Sequence, residues 1–279
     1  MRPRRTGFPY LDDGTDAPDR EEPRVLAFAH RGGAYHPELE GLENTMAAFR
    51  HAAMLGYGYL ETDVHVTGDG VLLAFHDQVL DRVSDRRGAI AALTSAQVGQ
   101  ALVGGRERVP PLAELFDAFP QARFNIDLKS DGAAPALAAF IRERGVEDRV
   151  LVGSFSARRL NAFRRLAGPA VATSAHPLEV AVFCLLPSGR LADRLTRGRV
   201  AALQVPHRRG RWVLATPAFV RRAHAAGKHV HVWTIDEPEE MRELLDRGVD
   251  GLFTDRTDIL RDVLVERGTW TQHPWREEA

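Results

Sequence analysis

Short runs of β-branched and apolar residues recur along the chain, and most are followed by a stretch whose apolar positions repeat at helical spacing. The strand-like runs are 25–29, 59–66, 71–76, 123–128, 150–154, 170–174, 200–205, 229–234 and 251–254. Helical patterns fall between most of them, at 43–55, 135–144, 157–166, 217–226, 238–247 and 258–266. Such alternation predicts a parallel sheet with helical crossovers. One pair breaks the rule. Only Thr67-Gly68-Asp69-Gly70 separates the second run from the third. A parallel crossover needs about a dozen residues, so these two must form an antiparallel hairpin. Setting the return strand aside leaves eight β-α units over about 240 residues, the size of a (β/α)8 TIM barrel. A doubly wound open sheet is the alternative.

Residues about 78–112 then leave the barrel and return at Pro110-Pro111, with weak periodicity and glycines at 88, 99, 104 and 105, a small cap rather than a domain. Around the barrel domain at 24–267, residues 1–23 lack an apolar period and read as a mobile tail. Residues 268–279 read as a short C-terminal extension whose Trp270 and Trp275 are candidates to fold back onto the domain.

Composition narrows the class. A hydrophobic content of 44% over 279 residues supports a sizeable core. The 37 basic and 38 acidic residues leave a charge of −1, which argues against a global pull toward nucleic acid or anionic lipid but allows a local positive pocket. The single cysteine, Cys184, sits in the apolar run 182–186 and reads as a buried, inert thiol. No apolar run reaches membrane-span length, and no signal-like segment follows the basic start. No stable membrane anchoring and a cytoplasmic location are therefore expected.

In a strand, residues two apart share a face, so Glu61 and Asp63 point together, as do Asp127 and Lys129. On an inward face such charges are costly unless a cation or hydrogen bonds offset them. Carboxylates from two strands suit Mg²⁺ or Ca²⁺. A structural ion pair between Lys129 and Asp127 is the plainer alternative. The hairpin adds His76. A Gly68-Asp69 loop sets residue 61 opposite 76, and an Asp69-Gly70 loop sets 63 opposite 76. Either brings a histidine beside two carboxylates, a proton-transfer group suited to neutral pH.

His30 ends the first strand and Arg31-Gly32-Gly33 follows, at the end of a barrel strand where active sites form. The planar fork of Arg31 suits phosphate. Asn44 reads as a helix N-cap, Glu43 as structural, and Asp255 as the N-cap region of the last helix. His65 shares the Glu61 face but is expected above the site. On the strand at 229–234, His229 and His231 read as core or rim residues, while Trp233 is a candidate to line a pocket. Gln204 is a weaker pocket candidate. Zinc-type Cys/His spacing, a Walker-type loop and a Gly-x-Ser-x-Gly elbow are all missing from the sequence.

Together, Ala29-His30-Arg31-Gly32, Glu43-Asn44-Thr45, Glu61-Thr62-Asp63-Val64, Phe75-His76-Asp77, the stretch at 125–129, Val232-Trp233-Thr234-Ile235-Asp236 and residues 248–255 resemble the glycerophosphodiester phosphodiesterase family. The resemblance runs from about Leu26 to Ile259. It implies the same barrel with a small insertion after the second barrel strand, at about 66–112, and hydrolysis of small glycerophosphodiesters to sn-glycerol 3-phosphate and an alcohol with one divalent cation. By position it implies that Glu61, Asp63 and Asp127 hold the cation and that His30 and His76 are the acid/base pair. Arg31 and Lys129 would hold phosphate oxygens, and Trp233 would line the glycerol pocket. Asp127 departs from the glutamate usual in the family, so a water is expected to bridge its shorter arm to the cation. Lipid headgroups, as in lysophospholipase D or sphingomyelinase D-like enzymes, form a second substrate class. An inactive phosphoester-binding barrel is a third reading, disfavoured because both histidines and all three acids are in place.

Overall fold

The computed structural model describes residues 6–12 and 25–273. Eight parallel strands form the barrel: β1 (Leu26–Ala29), β2 (Tyr59–Val66), β3 (Arg123–Leu128), β4 (Val150–Gly153), β5 (Ala172–Thr173), β6 (Ala202–Pro206), β7 (His229–Trp233) and β8 (Gly251–Thr254). They pair in the order β5-β4-β3-β2-β1-β8-β7-β6, and a parallel bridge between Ser174 and Ala202 brings the two ends together. Helices pack outside, several of them started by capping hydroxyls: Thr45, Ser156 and Thr216 each accept the backbone N–H three residues on. The outward faces of the strands bury Leu60, Phe124, Val152, Leu203 and Leu252 against these helices. Among the described residues, no helix is long and apolar enough to cross a membrane.

The barrel interior has an apolar N-terminal half. Phe28 stacks on Phe253 at 4.2 Å and meets Tyr59 edge-on at 5.2 Å. Crowding there demands glycine at 251, where a Cβ would come within 2.7 Å of the Phe28 ring. The expected mobile tail differs at residues 6–12. Tyr10 and Leu11 are buried under the barrel, and Tyr59 Oη donates to the Tyr10 carbonyl at 2.9 Å. Three apolar side chains, Phe8, Tyr10 and Leu11, cover an open apolar barrel end but are too few to show a period. At the other terminus Trp270 packs edge-on against Tyr57 at 5.2 Å, while Trp275 lies outside the described residues.

The return strand Leu72–Ala74 pairs antiparallel with β2, as the short connection requires, but in neither expected register. Val64 faces Ala74 and Val66 faces Leu72, so the loop has three residues, Gly68-Asp69-Gly70, with Gly70 at φ 88°. A turn closed by a left-handed glycine is the next commonest hairpin after the two-residue types. The insertion then builds its own small core from Leu73, Phe75, Leu80, Ile90, Val98 and Val103.

Two helices between β5 and β6, Pro177–Leu185 and Gly189–Leu195, are absent from the periodic pattern. The first is apolar on nearly every side, so it shows no polar face to betray a helix.

Candidate active site

The chain leaves β1 through a single tight turn, His30–Gly32, in which Arg31 adopts a left-handed backbone with φ 49°. This turn aims the Arg31 N–H at Glu61 Oε2, 2.9 Å away, and its guanidinium at Asp63 (3.2 Å) and Glu43 (3.2 Å). Gly32 is required here. Its φ is 85°, and a Cβ would meet the Ala48 Cβ at 2.7 Å. His30 donates through Nδ1 to Asp255 Oδ1 at 2.9 Å, leaving Nε2 3.9 Å from Glu61.

Glu61 and Asp63 sit two apart on β2, both buried and both inward. Asp127 lies beside Asp63 on β3. Lys129 joins them, with Nζ 2.9 Å from Asp63 and 2.6 Å from Asp127. Their proton affinities diverge. Burial and the neighbouring Asp63 raise Glu61 to about 7. Burial also favours protonating Asp63, but Lys129 and Arg31 outweigh it and hold Asp63 at about 2. Burial raises Asp127 despite Lys129. For His30, burial opposes the charge, yet Glu61 and the bond to Asp255 lift it to about 9.

Asn44 is not the helix cap; Thr45 is. Asn44, itself left-handed at φ 58°, donates to Asp63 Oδ2 at 3.1 Å and accepts from Thr62 Oγ1 at 2.8 Å. Asp255 likewise orients His30 rather than capping the last helix, whose cap position is Arg256. Both roles depend on partners remote in sequence, which local patterning does not reveal.

The observed register sets residue 76 opposite 62 rather than opposite a carboxylate. His76 still reaches the site because the strand ends at Ala74 and His65 Nε2 donates to the His76 carbonyl at 3.1 Å. His65 is itself buried. His76 donates through Nδ1 to Asp77 at 2.6 Å, and Arg82 ties Asp77 to Glu43 at 2.5 and 2.6 Å. The insertion is thus latched to the β1 loop.

Gln204 faces inward beneath this cluster, donating to Asn125 at 2.7 Å and to His231 Nδ1 at 3.3 Å. Space above it depends on Gly153, where a Cβ would lie 2.8 Å from Ser174 Oγ, 3.6 Å from Gln204 and 3.8 Å from Asp127. Trp233 stands apart from the charged cluster. Its ring meets the exposed Phe155 edge-on at 5.6 Å, and it packs on the interior apolar residues. Cys184, expected to be buried, is only half-buried.

Around this mouth six carboxylates, Glu43, Glu61, Asp63, Asp77, Asp127 and Asp255, meet three fixed cations, Arg31, Arg82 and Lys129. The excess negative charge and the all-oxygen donors of Glu61, Asp63 and Asp127 fit a hard divalent cation. A second group, His36, Glu38 and His51, has ligand atoms already within 4.8 Å of one another, on the loop after β1 and the helix Met46–Met54. It shares no residue with the predicted ligand set.

Residues 30–259 match the model of the glycerophosphoryl diester phosphodiesterase family. The chain belongs to that family. It is 41% identical over 248 residues to a probable glycerophosphodiester phosphodiesterase 2 of Mycobacterium tuberculosis, covering 88% of this chain and 92% of that protein. It is 27% identical to human lysophospholipase D GDPD1, covering 93% of each. Among solved structures, the glycerophosphodiester phosphodiesterase of Agrobacterium tumefaciens has a TM-score of 0.69 at 25% identity, covering 85% of this chain and 99% of that one. An Oleispira antarctica phosphodiesterase, solved in complex with the product sn-glycerol-3-phosphate, superimposes with a TM-score of 0.70 at 24% identity, over 87% and 97% of the two chains. The family's phosphodiesterase activity and its barrel therefore apply to this chain, and the constellation above lies at the strand ends where barrel enzymes carry out their chemistry.

Proposed function

We propose that the chain hydrolyses glycerophosphodiesters to sn-glycerol 3-phosphate and an alcohol, with Mg²⁺ or Ca²⁺ held by Glu61, Asp63 and Asp127. The convergence of these acids with two Asp-oriented histidines and two phosphate-compatible cations at one barrel mouth carries this reading. A phosphodiester's negative charge repels nucleophiles, so charge neutralisation and positioning dominate catalysis. When bound, the cation supplies that neutralisation at a phosphoryl oxygen.

The chain's own groups do the rest. Arg31 and Lys129, both within 3.2 Å of Asp63, share the phosphate's charge. His30 and His76 each give Nδ1 to a carboxylate, Asp255 and Asp77, which fixes the rings and frees Nε2 for proton transfer. One histidine deprotonates water, or the neighbouring glycerol hydroxyl in a route through a cyclic phosphate. The other protonates the leaving alkoxide. The apolar edge at Trp233 packs against the glycerol moiety, and Gln204, whose amide hydrogens are taken by Asn125 and His231, accepts from its hydroxyls through Oε1.

A second substrate class has a specific observation behind it. Phe155, 64% exposed beside Trp233, extends the apolar rim of the mouth toward solvent, as a lysophospholipid's chain requires. The insertion adds little to this, since Leu80 and Ile90 are buried in its own core.

The test is a metal-dependent screen of glycerophosphocholine, glycerophosphoethanolamine, glycerophosphoglycerol and lysophospholipids, following glycerol 3-phosphate released from the first three and lysophosphatidate from the last. Release of the alcohol with glycerol 3-phosphate supports the reading; cleavage on the other side of the phosphorus, or none with either cation, overturns it.

A further inference from the structure

Between residues 190 and 211 the chain carries seven arginines and a single carboxylate, Asp193, although its overall charge is −1. All seven arginines are exposed. Asp193 is already bound to Lys228 at 2.9 Å, and none of the seven forms an ion pair among the described residues. Four of them, Arg190, Arg194, Arg197 and Arg199, lie on and just after the helix Gly189–Leu195. The other three, Arg208, Arg209 and Arg211, lie on a hairpin whose strands are Arg208–Arg209 and Trp212–Val213. That hairpin follows β6, so it stands at the catalytic end of the barrel.

Apolar side chains accompany this charge. A helix on the outside of a barrel ordinarily turns polar residues to water. Pro177–Leu185 turns Leu178, Ala181 and Leu185 outward, at helical spacing, with Leu178 69% and Leu185 83% exposed. Its one charged residue, Glu179, is buried and paired with Arg164. Leu191 and Leu195 add to the same flank, and a groove of about 510 Å³ between these helices is lined by Leu178, Val182 and Leu195 together with Arg165, Arg197 and Arg199. On the hairpin, Trp212 is 67% exposed, with the Arg211 guanidinium 5.4 Å from its ring centre.

We propose that this flank, helices Pro177–Leu185 and Gly189–Leu195 with the hairpin at 208–213, docks reversibly on an anionic phospholipid bilayer. Leucines beside unpaired arginines, and a tryptophan at the edge, are the composition that seats a protein in the headgroup layer. The charge fits anionic headgroups, and the leucines enter the acyl boundary. Nucleic acid would satisfy the arginines but leave the leucines in water. A symmetric contact with a second copy would set the arginine block against itself. Docking brings the hairpin, and with it the barrel mouth, close to the lipid plane. The delivery of lysophospholipids to the mouth rests on the proposed reaction; the docking does not.

The test uses the full chain in vesicle co-sedimentation, comparing phosphatidylcholine with phosphatidylcholine containing one-third phosphatidylglycerol. Binding is expected only to the anionic vesicles, and it should fall steeply with added salt. R208A/R209A/R211A is expected to weaken it on the order of 100-fold, and L185S and W212A by less. Melting temperature and turnover of soluble glycerophosphocholine should stay at wild-type levels in these variants, which separates lost docking from lost fold. Equal binding to neutral vesicles, no binding to either, or binding indifferent to the arginines overturns the proposal. So does tighter binding to a single-stranded RNA oligonucleotide, or a dimer by light scattering that dissociates in the arginine variant.

Discussion

At the N-terminal end of the barrel Tyr10, Phe28, Tyr59 and Phe253 meet ring to ring, whereas at the C-terminal end the same strands carry Glu61, Asp63, Asp127 and Lys129. On β2 the change takes two residues: Tyr59 and Glu61 share the inward face. The apolar end excludes water and stabilises the fold. Its dryness is also what raises Glu61, because charge above an apolar floor lacks solvation. The two ends are therefore coupled in their physics but separable in their consequences. Substitutions at one should act on chemistry, and at the other on stability.

The largest expected effect lies at the mouth. His30→Ala or His76→Ala should lower kcat on the order of 1,000-fold while leaving the melting temperature within a few degrees. Substantial residual turnover in either would remove that histidine from the acid/base pair. The converse holds at the plug. Tyr10→Ala empties a fully buried ring position and should cost about 3 kcal/mol in denaturant unfolding, with kcat nearly unchanged at temperatures where the variant is folded. A large kcat loss in that folded variant would break the separation.

Protonation sharpens the contrast next. His231, in the barrel between the two ends, is held down to about 3 by burial and by His229, whereas an unfolded histidine titrates near 6.5. Only the unfolded chain takes up this proton between roughly pH 6.5 and 3. Its stability contribution is therefore lost as pH falls through that window, at about 1.4 kcal/mol per unit. The slope of unfolding free energy against pH below 6.5 should be shallower in His231→Phe by about that amount, and an unchanged slope would contradict it. In cation titrations, Asp63→Asn should weaken binding more than Asp127→Asn, since Asp127, an aspartate where the family usually has glutamate, is expected to reach the cation through a water. Equal losses would argue for direct ligation by both. The smallest effect is expected at the rim: Phe155→Ala should raise KM for lysophospholipids about five-fold and leave glycerophosphocholine unaffected.

Most strands were legible because parallel strands are continuous apolar runs, and the hairpin followed from a connection too short for a crossover. The inward pairs Glu61/Asp63 and Asp127/Lys129 followed from period-two alternation alone. What escaped depends on distance in sequence. Asn44 and Asp255 have local signals for capping, yet their side chains serve Asp63 and His30, 19 and 225 residues away. The hairpin register escaped because a three-residue loop carries the same Gly-Asp-Gly signature as the two-residue types. Tyr10 and Leu11 form too short a run to show a period. The arginine block was hidden by the balanced total, which averages over the flank where it concentrates.

Cleavage of a glycerophosphodiester at the charged mouth, with a divalent cation, is the proposal on which the contrast between the two ends depends. The most direct measurement strips the protein with EDTA, restores Mg²⁺ or Ca²⁺, and follows glycerophosphocholine by phosphorus NMR. Turnover should vanish on stripping and return with the cation, yielding sn-glycerol 3-phosphate and choline. Turnover that survives full metal removal, or phosphocholine as the product, would contradict it.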